Sequence, residues 1–175
     1  MQVLKNQKCA MCGRASATLT ESTEDVPHFG KCFLMSMTCS SCHYHQSDVE
    51  SEESDHNPVK HTFEIKSKKD LNVRVIKAAQ ATVKIPQMRL SITPGVASIG
   101  YISNIEGLLA RFKAIIEEQR DNAEDAKVRK AAKRLLKKLW NVENGDQPMK
   151  IVIEDPSGNS AIVSDETKTE KLKVK

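Results

Sequence analysis

The sequence predicts a mostly β protein with an α-helical insertion: a small cysteine-rich ribbon, then a larger β domain. Three observations carry this. Two CxxC pairs, Cys9-Ala10-Met11-Cys12 and Cys39-Ser40-Ser41-Cys42, stand near the N-terminus. Apolar residues alternate at period two in short runs between Lys60 and Thr93, and again after Met149. Between those blocks, two segments carry apolar residues at helical spacing.

The cysteine pairs come first. Two CxxC turns joined by a strand-forming spacer are the outline of a four-thiolate zinc site, with Cys9, Cys12, Cys39 and Cys42 as ligands. A CxxC turn sets two sulfurs on one side of a tight loop. Gly13 follows the first pair and supplies a left-handed residue; His43 stands at the equivalent place after the second. The spacer, Gly13 to Thr38, exceeds the ~15–20 residues usual for such sites, which leaves room for a hairpin. Two readings compete: a pair of disulfides, which an intracellular chain rarely keeps, and a redox CxxC beside a βαβ unit, which the absence of such a pattern and the presence of two pairs oppose. The fifth cysteine, Cys32, lies in an apolar run and reads as a buried thiol packing as a small hydrophobe.

Composition bounds the rest. The chain has 175 residues, enough for one domain of ordinary size plus a small module. Met1 to Lys8 holds no apolar core of signal-peptide length and no run approaches a membrane span, so the expected location is the cytoplasm. The formal net charge is +4. Four thiolates and one Zn2+ lower it to about +2, too balanced to argue for nucleic acid from bulk charge.

In order, Ala15 to Thr20 reads as a strand, Glu21 to Asp25 as a polar turn, and Phe29 to Met37 as the returning strand. The zinc ribbon is thus expected over 1–50. An acidic run, Asp48 to Asp55, reads as a solvated loop or linker centred on 51–59. His43, His45, His56 and His61 are given solvent or core roles, since four cysteines already complete the site. The β domain spans 60–164, with strands at His61–Lys66, Leu71–Val75, Ala81–Ile85 and Met88–Ile92. Repeated short strands of this kind suggest a sandwich or barrel.

A helical hairpin is expected at about 103–141. Ser103 is read as N-cap of a capping box with Glu106, and Ile105, Leu108, Leu109, Phe112, Ile115 and Ile116 form its stripe. Gly107 sits inside that helix, which suggests a close contact. Asp121-Asn122 is the expected turn. The second helix has Val128, Ala132, Leu135, Leu136 and Leu139 on one face, closed by Trp140, and a basic opposite face that includes Lys130 and Arg134. Met149–Glu154 and Ala161–Val163 then form a hairpin around the turn Asp155-Pro156-Ser157-Gly158-Asn159-Ser160. Residues 165–175 read as a loose polar tail.

These motifs together resemble the ZPR-type zinc-finger proteins. The resemblance runs through Cys9 to Gly13, the strand into Cys39–Cys42 and Tyr44, Ile85-Pro86 through Pro94-Gly95 to Ile105-Glu106-Gly107-Leu108-Leu109, and Asp155 to Ser160. Each motif occurs once, as in a single-module, archaeal-type member. Ala10 replaces the usual proline of the first pair, His43 replaces a glycine, and the acidic run with His56 replaces a glycine-containing loop.

The resemblance implies a zinc finger like that of translation initiation factors beside a double-stranded β-helix with an inserted helical hairpin. It also implies a partner, translation elongation factor one-alpha, whose folding family members assist. The chain is then expected to be a binding protein and not an enzyme. Neither a P-loop nor a GxSxG or HExxH motif occurs, and a closed four-cysteine site leaves no open metal position. The expected partner contacts are Asp155, Ser157 and Asn159 of the turn, together with Lys130 and Arg134. Two alternatives are an RNA-binding ribbon using the basic helix and a small-molecule-binding or enzymatic β barrel, for the latter of which no residue pattern speaks.

Overall fold

The computed structural model describes residues 1–26, 30–52 and 57–173. Its first part is one antiparallel sheet. Strands β1 (Gln2–Lys8), β2 (Ala15–Val26), β3 (Gly30–Cys39) and β4 (His45–Ser51) lie side by side in chain order. The expected polar turn at Glu21–Asp25 is instead the second half of β2, paired from Ser22↔Leu34 to Val26↔Gly30. Its polar residues alternate across the ladder, one face remaining in solvent. Phe29, Glu53 to Asp55 of the acidic run, and His56 lie outside the described residues.

The acidic run is also no simple linker. Asp48 to Ser51 pair with Met35 to Cys32 inside β4. Asp48 Oδ1 accepts from Ala79 N at 2.8 Å, across the boundary to the second part of the chain. A carboxylate that caps a backbone donor there has a local use that charge patterning does not show.

The second part holds β5 (Val59–Ile65), β6 (Arg74–Lys77), β7 (Thr82–Ile85), β8 (Leu90–Ile92), β9 (Tyr101–Asn104), β10 (Met149–Asp155), β11 (Ala161–Val163) and β12 (Lys168–Lys171). They form two antiparallel sheets, ordered β12-β5-β10-β7-β8 and β11-β6-β9. Strand β10 is central and turns Met149, Ile151 and Ile153 into the main core, where Phe63, Ile65, Val83 and Ile85 meet them. Leu71 and Asn72 belong not to a strand but to a 3-10 turn, Lys68–Asn72. Asp70 Oδ2 imposes it by accepting from the N–H groups of Lys66 and Ser67 at 2.8 Å each.

Helices α1 (Ile105–Asn122) and α2 (Ala126–Glu143) stand between β9 and β10 as a hairpin. Leu108, Leu109, Phe112 and Ile116 of α1, with Ala132, Leu139 and Val142 of α2, enter the main core. The N-cap of α1 is Asn104, one residue later than expected, and its Oδ1 accepts from Gly107 N at 2.8 Å. Asn104 is the last residue of β9 and α1 begins at Ile105, which leaves Ser103, opposite Val75 in the β6–β9 ladder, one position outside the cap. The Ser103 hydroxyl fills the space over Gly107, where an added Cβ would stand 2.3 Å from Oγ.

The helices join not at Asp121-Asn122 but at Ala123, which is extended, and Asp125, whose carboxylate caps Lys127 N at 2.7 Å. Val128 is 48% exposed in the first turn of α2, and Trp140 is 56% exposed. One residue past Leu139 turns the indole ~100° from the buried stripe. The expected loose tail contains β12, which pairs with Val59–Thr62 of β5. Mixed charge is how an edge strand keeps its outer face wet.

The two parts share a seam. Val26, Cys32 and Val49 of the ribbon form one buried cluster with Ile76 and Ala161, flanked by Leu34, Ile102 and Val163. Cys32 is fully buried there, and burial pushes its thiol pKa up. Polar pairs line the seam: Gly100 N donates to Ser47 O at 2.8 Å, and Ser47 Oγ to Gly100 O at 3.1 Å. An alanine Cβ at 100 would meet Val49 N at 2.7 Å and Asp48 Cα at 2.9 Å, both backbone atoms. Gly100→Ala is therefore expected to cost about 1–3 kcal/mol in denaturant unfolding. Gly95→Ala, with nothing within 4 Å of its Cβ, serves as the unaffected control.

His61 is buried between its contacts, Nε2 donating to Ser160 O at 2.8 Å and Nδ1 lying 3.0 Å from Thr169 Oγ1. Burial pushes its pKa down, against the hydrogen bond to Ser160 and the charge of Asp155. Below its ordinary pKa the unfolded chain then binds more protons than the folded one, so this group's stability contribution is present at neutral pH and lost in acid. Urea midpoints should fall between about pH 7.5 and about pH 5.5, and His61→Gln should flatten part of that slope.

Candidate metal centre and partner surface

The cysteine turns sit at one end of the ribbon and repeat each other bond for bond. Gly13 N donates to Cys9 O and His43 N to Cys39 O, each at 3.0 Å. Cys9 N donates to Arg14 O and Cys39 N to Tyr44 O, each at 2.8 Å. Met11 N points at Cys9 Sγ and Ser41 N at Cys39 Sγ, each at 3.4 Å. Both closing residues are left-handed, Gly13 at φ 70° and His43 at φ 58°. The second turn thus adopts the same conformation without glycine, on the residue type that tolerates it better than most.

The four sulfurs converge. All lie within 4.8 Å of one another. Cys9 Sγ to Cys42 Sγ is 3.7 Å and Cys12 Sγ to Cys39 Sγ is 3.8 Å. A tetrahedral zinc with bonds of ~2.3 Å has sulfur–sulfur edges of ~3.8 Å, which these two pairs match, so the four cysteines are positioned to hold one zinc ion. Cys9 and Cys39 are buried, Cys12 and Cys42 exposed. The Ser16 hydroxyl lies 3.2 Å from Cys39 Sγ and, with further backbone donors, holds that thiol down to about 6. Arg14 Nη1 donates to Ser41 Oγ at 2.8 Å and ties one turn to the other. Ser16 and Arg14 carry no spacing signal and were not identified from the sequence. His45 is engaged by Thr38 Oγ1 at 3.0 Å and His61 lies in the second part, so neither joins the cluster; His56 lies outside the described residues.

The expected partner contacts divide. Asp155 is fully buried and Asn159 is 9% exposed. Asp155 Oδ1 accepts from Ser157 N at 2.8 Å and Ser157 Oγ at 2.7 Å, and Oδ2 accepts from Ser160 N at 2.7 Å. Asn159 Oδ1 accepts from Ser51 N of β4 at 3.3 Å. Ser160 Oγ accepts from Ala78 N at 2.9 Å. The exposure inferred from the turn's composition is therefore corrected for Asp155 and Asn159, which join β10 to the ribbon from inside. Ser157 is partly exposed, but its hydroxyl is taken by Asp155. Lys130 and Arg134 do stand exposed, along with Lys127, Arg129, Lys133, Lys137 and Lys138. No ion pair occupies any of these seven among the described residues.

Lys77 is the unforeseen member of the seam, 3% exposed. Its ammonium donates to Ala78 O at 3.1 Å, Ala79 O at 3.4 Å, Ser98 Oγ at 3.3 Å and Ile99 O at 3.3 Å. Burial pushes its pKa down while Asp48 and Asp155 oppose that. Four oxygen partners are what allow a cation to remain there.

A family model described as the ZPR1 zinc-finger domain matches residues 2–54, and one described as the ZPR1 jelly-roll domain matches residues 69–175. The chain belongs to the ZPR1 family. A ZPR1-like protein of Pyrococcus horikoshii is 32% identical over 98% of this chain and 78% of its own length. One of Methanocaldococcus jannaschii is 31% identical over 98% and 87%. The "Zinc finger chaperone zpr1" of Schizosaccharomyces pombe is 31% identical over 88% of this chain but only 33% of its own length. The ZPR1 matches agree with the four-cysteine finger and the two facing sheets. Among the described residues no helix is long and apolar enough to cross a membrane.

Purified protein should carry one zinc per chain by elemental mass spectrometry, and Cys39→Ser should lose it. Chelation should speed amide exchange in the cysteine turns and in β1–β3, while β5 and β10 stay protected. Uniform loss over the chain would mean that the metal stabilises both parts equally.

Proposed function

We propose that this chain is a zinc-dependent protein-binding module, not an enzyme, that engages translation elongation factor one-alpha in the cytoplasm and assists its folding. The observation that carries this reading is the ZPR1 relative of Schizosaccharomyces pombe whose name describes a chaperone. Its match covers both parts of the present chain. The site chemistry is compatible with it. Four thiolates close the coordination sphere, so the metal has no open position for substrate and serves to stiffen the ribbon. A stiff ribbon joined to the jelly roll by a buried seam offers two surfaces at a fixed angle, which suits a module that grips a partly folded client. Lys130 and Arg134, on the exposed face of α2, are the contacts retained in this proposal.

The same face supports a second reading, RNA binding, because seven basic side chains lie exposed on one helix. The aromatic platform that single-stranded RNA prefers is thin: the chain has two tyrosines and one tryptophan.

Binding of zinc-loaded protein to its own organism's elongation factor one-alpha, nucleotide-free and with GDP or GTP, is the deciding measurement. Submicromolar binding in at least one state, lost in Cys39→Ser and weakened in a Lys130→Glu/Arg134→Glu double variant, is expected. Absence of binding in every state, with RNA affinity that falls steeply with salt, would transfer the function to the second reading.

A further inference from the structure

The ribbon has two faces, and only one is accounted for. Cys32, Leu34 and Val49 face the seam. The opposite parity faces outward, and the register puts apolar side chains there too. Leu4 stands opposite Leu19 and Leu19 opposite Met37; Gln2 stands opposite Glu21 and Glu21 opposite Met35. Leu4, Leu19, Met35 and Met37 thus form one patch across three adjacent strands. It lines a groove of about 340 Å³, with Leu4 57% and Met35 40% exposed. Exposed apolar side chains gathered in a groove mark interaction sites more than scattered ones do. Two of the four are methionines, whose flexible thioethers adapt to varied partners.

The charge around the groove says what kind of partner fits. Glu21 lines it with a free carboxylate; Asp48 lines it too, but its Oδ1 is taken by Ala79 N and Val49 N, and among the described residues no lysine or arginine lines the groove. Glu21 is exposed and has no ion pair among the described residues. Residues 2–54 hold four lysines and arginines against seven aspartates and glutamates, although the whole chain is formally +4. Four thiolates around one Zn2+ add about two more negative charges to this part. The basic surplus lies in the other part, so the acidic field over the groove is local.

Resting on the protein-binding reading above, we infer that this groove is the client-binding surface of the ribbon, and that it takes a cationic segment of a protein in which large apolar residues are flanked by lysine or arginine. The apolar side chains enter between Leu4, Leu19 and the two methionines, and the cations meet Glu21 and the acidic field of the ribbon. Met37 also packs against the cluster of Cys9, Ala17 and Cys39 at the metal turn. The groove floor is therefore built on the zinc site, and the metal holds the surface in shape without touching the client.

The test uses the zinc-loaded full chain with 13C-labelled methionine methyls and a synthetic Leu/Lys peptide, beside a Leu/Glu peptide of the same length. The Leu/Lys peptide is expected to shift Met35 and Met37 and to leave the buried Met88 and Met149 unmoved. The Leu/Glu peptide should not bind. Met35→Glu and Glu21→Lys, both at exposed positions, should each weaken the Leu/Lys peptide by at least about tenfold with zinc content unchanged. Equal binding of both peptides, or shifts that spare Met35 and Met37, would overturn the inference. So would a concentration-dependent mass in sedimentation that Met35→Glu abolishes, since a second copy would then be the occupant.

The same two variants are assayed against the elongation factor. Factor binding that neither substitution weakens overturns the groove and leaves the proposed function standing. Groove binding of the Leu/Lys peptide without factor binding retires the elongation factor and keeps the groove.

Discussion

The structure depends on the burial of one face of the ribbon against the jelly roll. Among the described residues this four-stranded sheet has no second layer of its own, and its inner residues, Val26, Cys32, Leu34 and Val49, cluster with Ile76, Ile102, Ala161 and Val163. Around that contact stand the groups that fix its geometry. Asp48 caps Ala79, Ser47 and Gly100 exchange two hydrogen bonds, and Asn159 holds Ser51. Apolar contact alone would allow the sheet to slide; buried hydrogen bonds of defined length do not, because a displaced partner leaves a polar group unsatisfied. Asp155 organises the turn that carries Asn159, so a residue inside the second part sets where the first part sits.

The metal acts at the other end of the same sheet. Zinc geometry fixes the separation of the two cysteine turns, and Arg14 and Ser16 add hydrogen bonds around it. The ribbon is pinned at its tip by coordination and at its base by the seam. Neither suffices alone: the tip has only a small cluster of Cys9, Ala17 and Cys39 with Met37 and Tyr44, and the base covers one face of the sheet. This division of labour is what makes a small module rigid without a core of its own.

Much of this was legible in the sequence where local chemistry decides. The cysteine spacing identified the site and all four ligands, and the left-handed role of the residue after each pair held for both Gly13 and His43. Helical periodicity identified both helices, and the cap missed by one residue because Ser103 and Asn104 are both capable and only the point where the chain leaves β9 for α1 chooses between them. What the sequence hid was tertiary. Asp155 to Ser160 has the composition of a surface turn, yet its aspartate is fully buried, since three donors from its own turn satisfy it there. Strands β4 and β12 carry charge on their exposed faces and so read as loop and tail. Lys77 gave no signal, because the oxygens that hold it come from two backbone stretches that only the fold brings together.

The placement of β10 bears on how the chain is made. Its neighbours in the sheet are β5 and β7, both encoded before the helical hairpin, whereas β10 itself begins at Met149. During synthesis the ribbon is complete once Ser51 has emerged, but the strand that knits the larger sheet arrives only after both helices have been translated. Through that interval the seam face of the ribbon, with Cys32 and Val49, has no finished surface to close upon. Vectorial synthesis thus exposes an apolar sheet face and a reduced thiol for a period set by translation of some hundred residues, at ~5–20 residues per second.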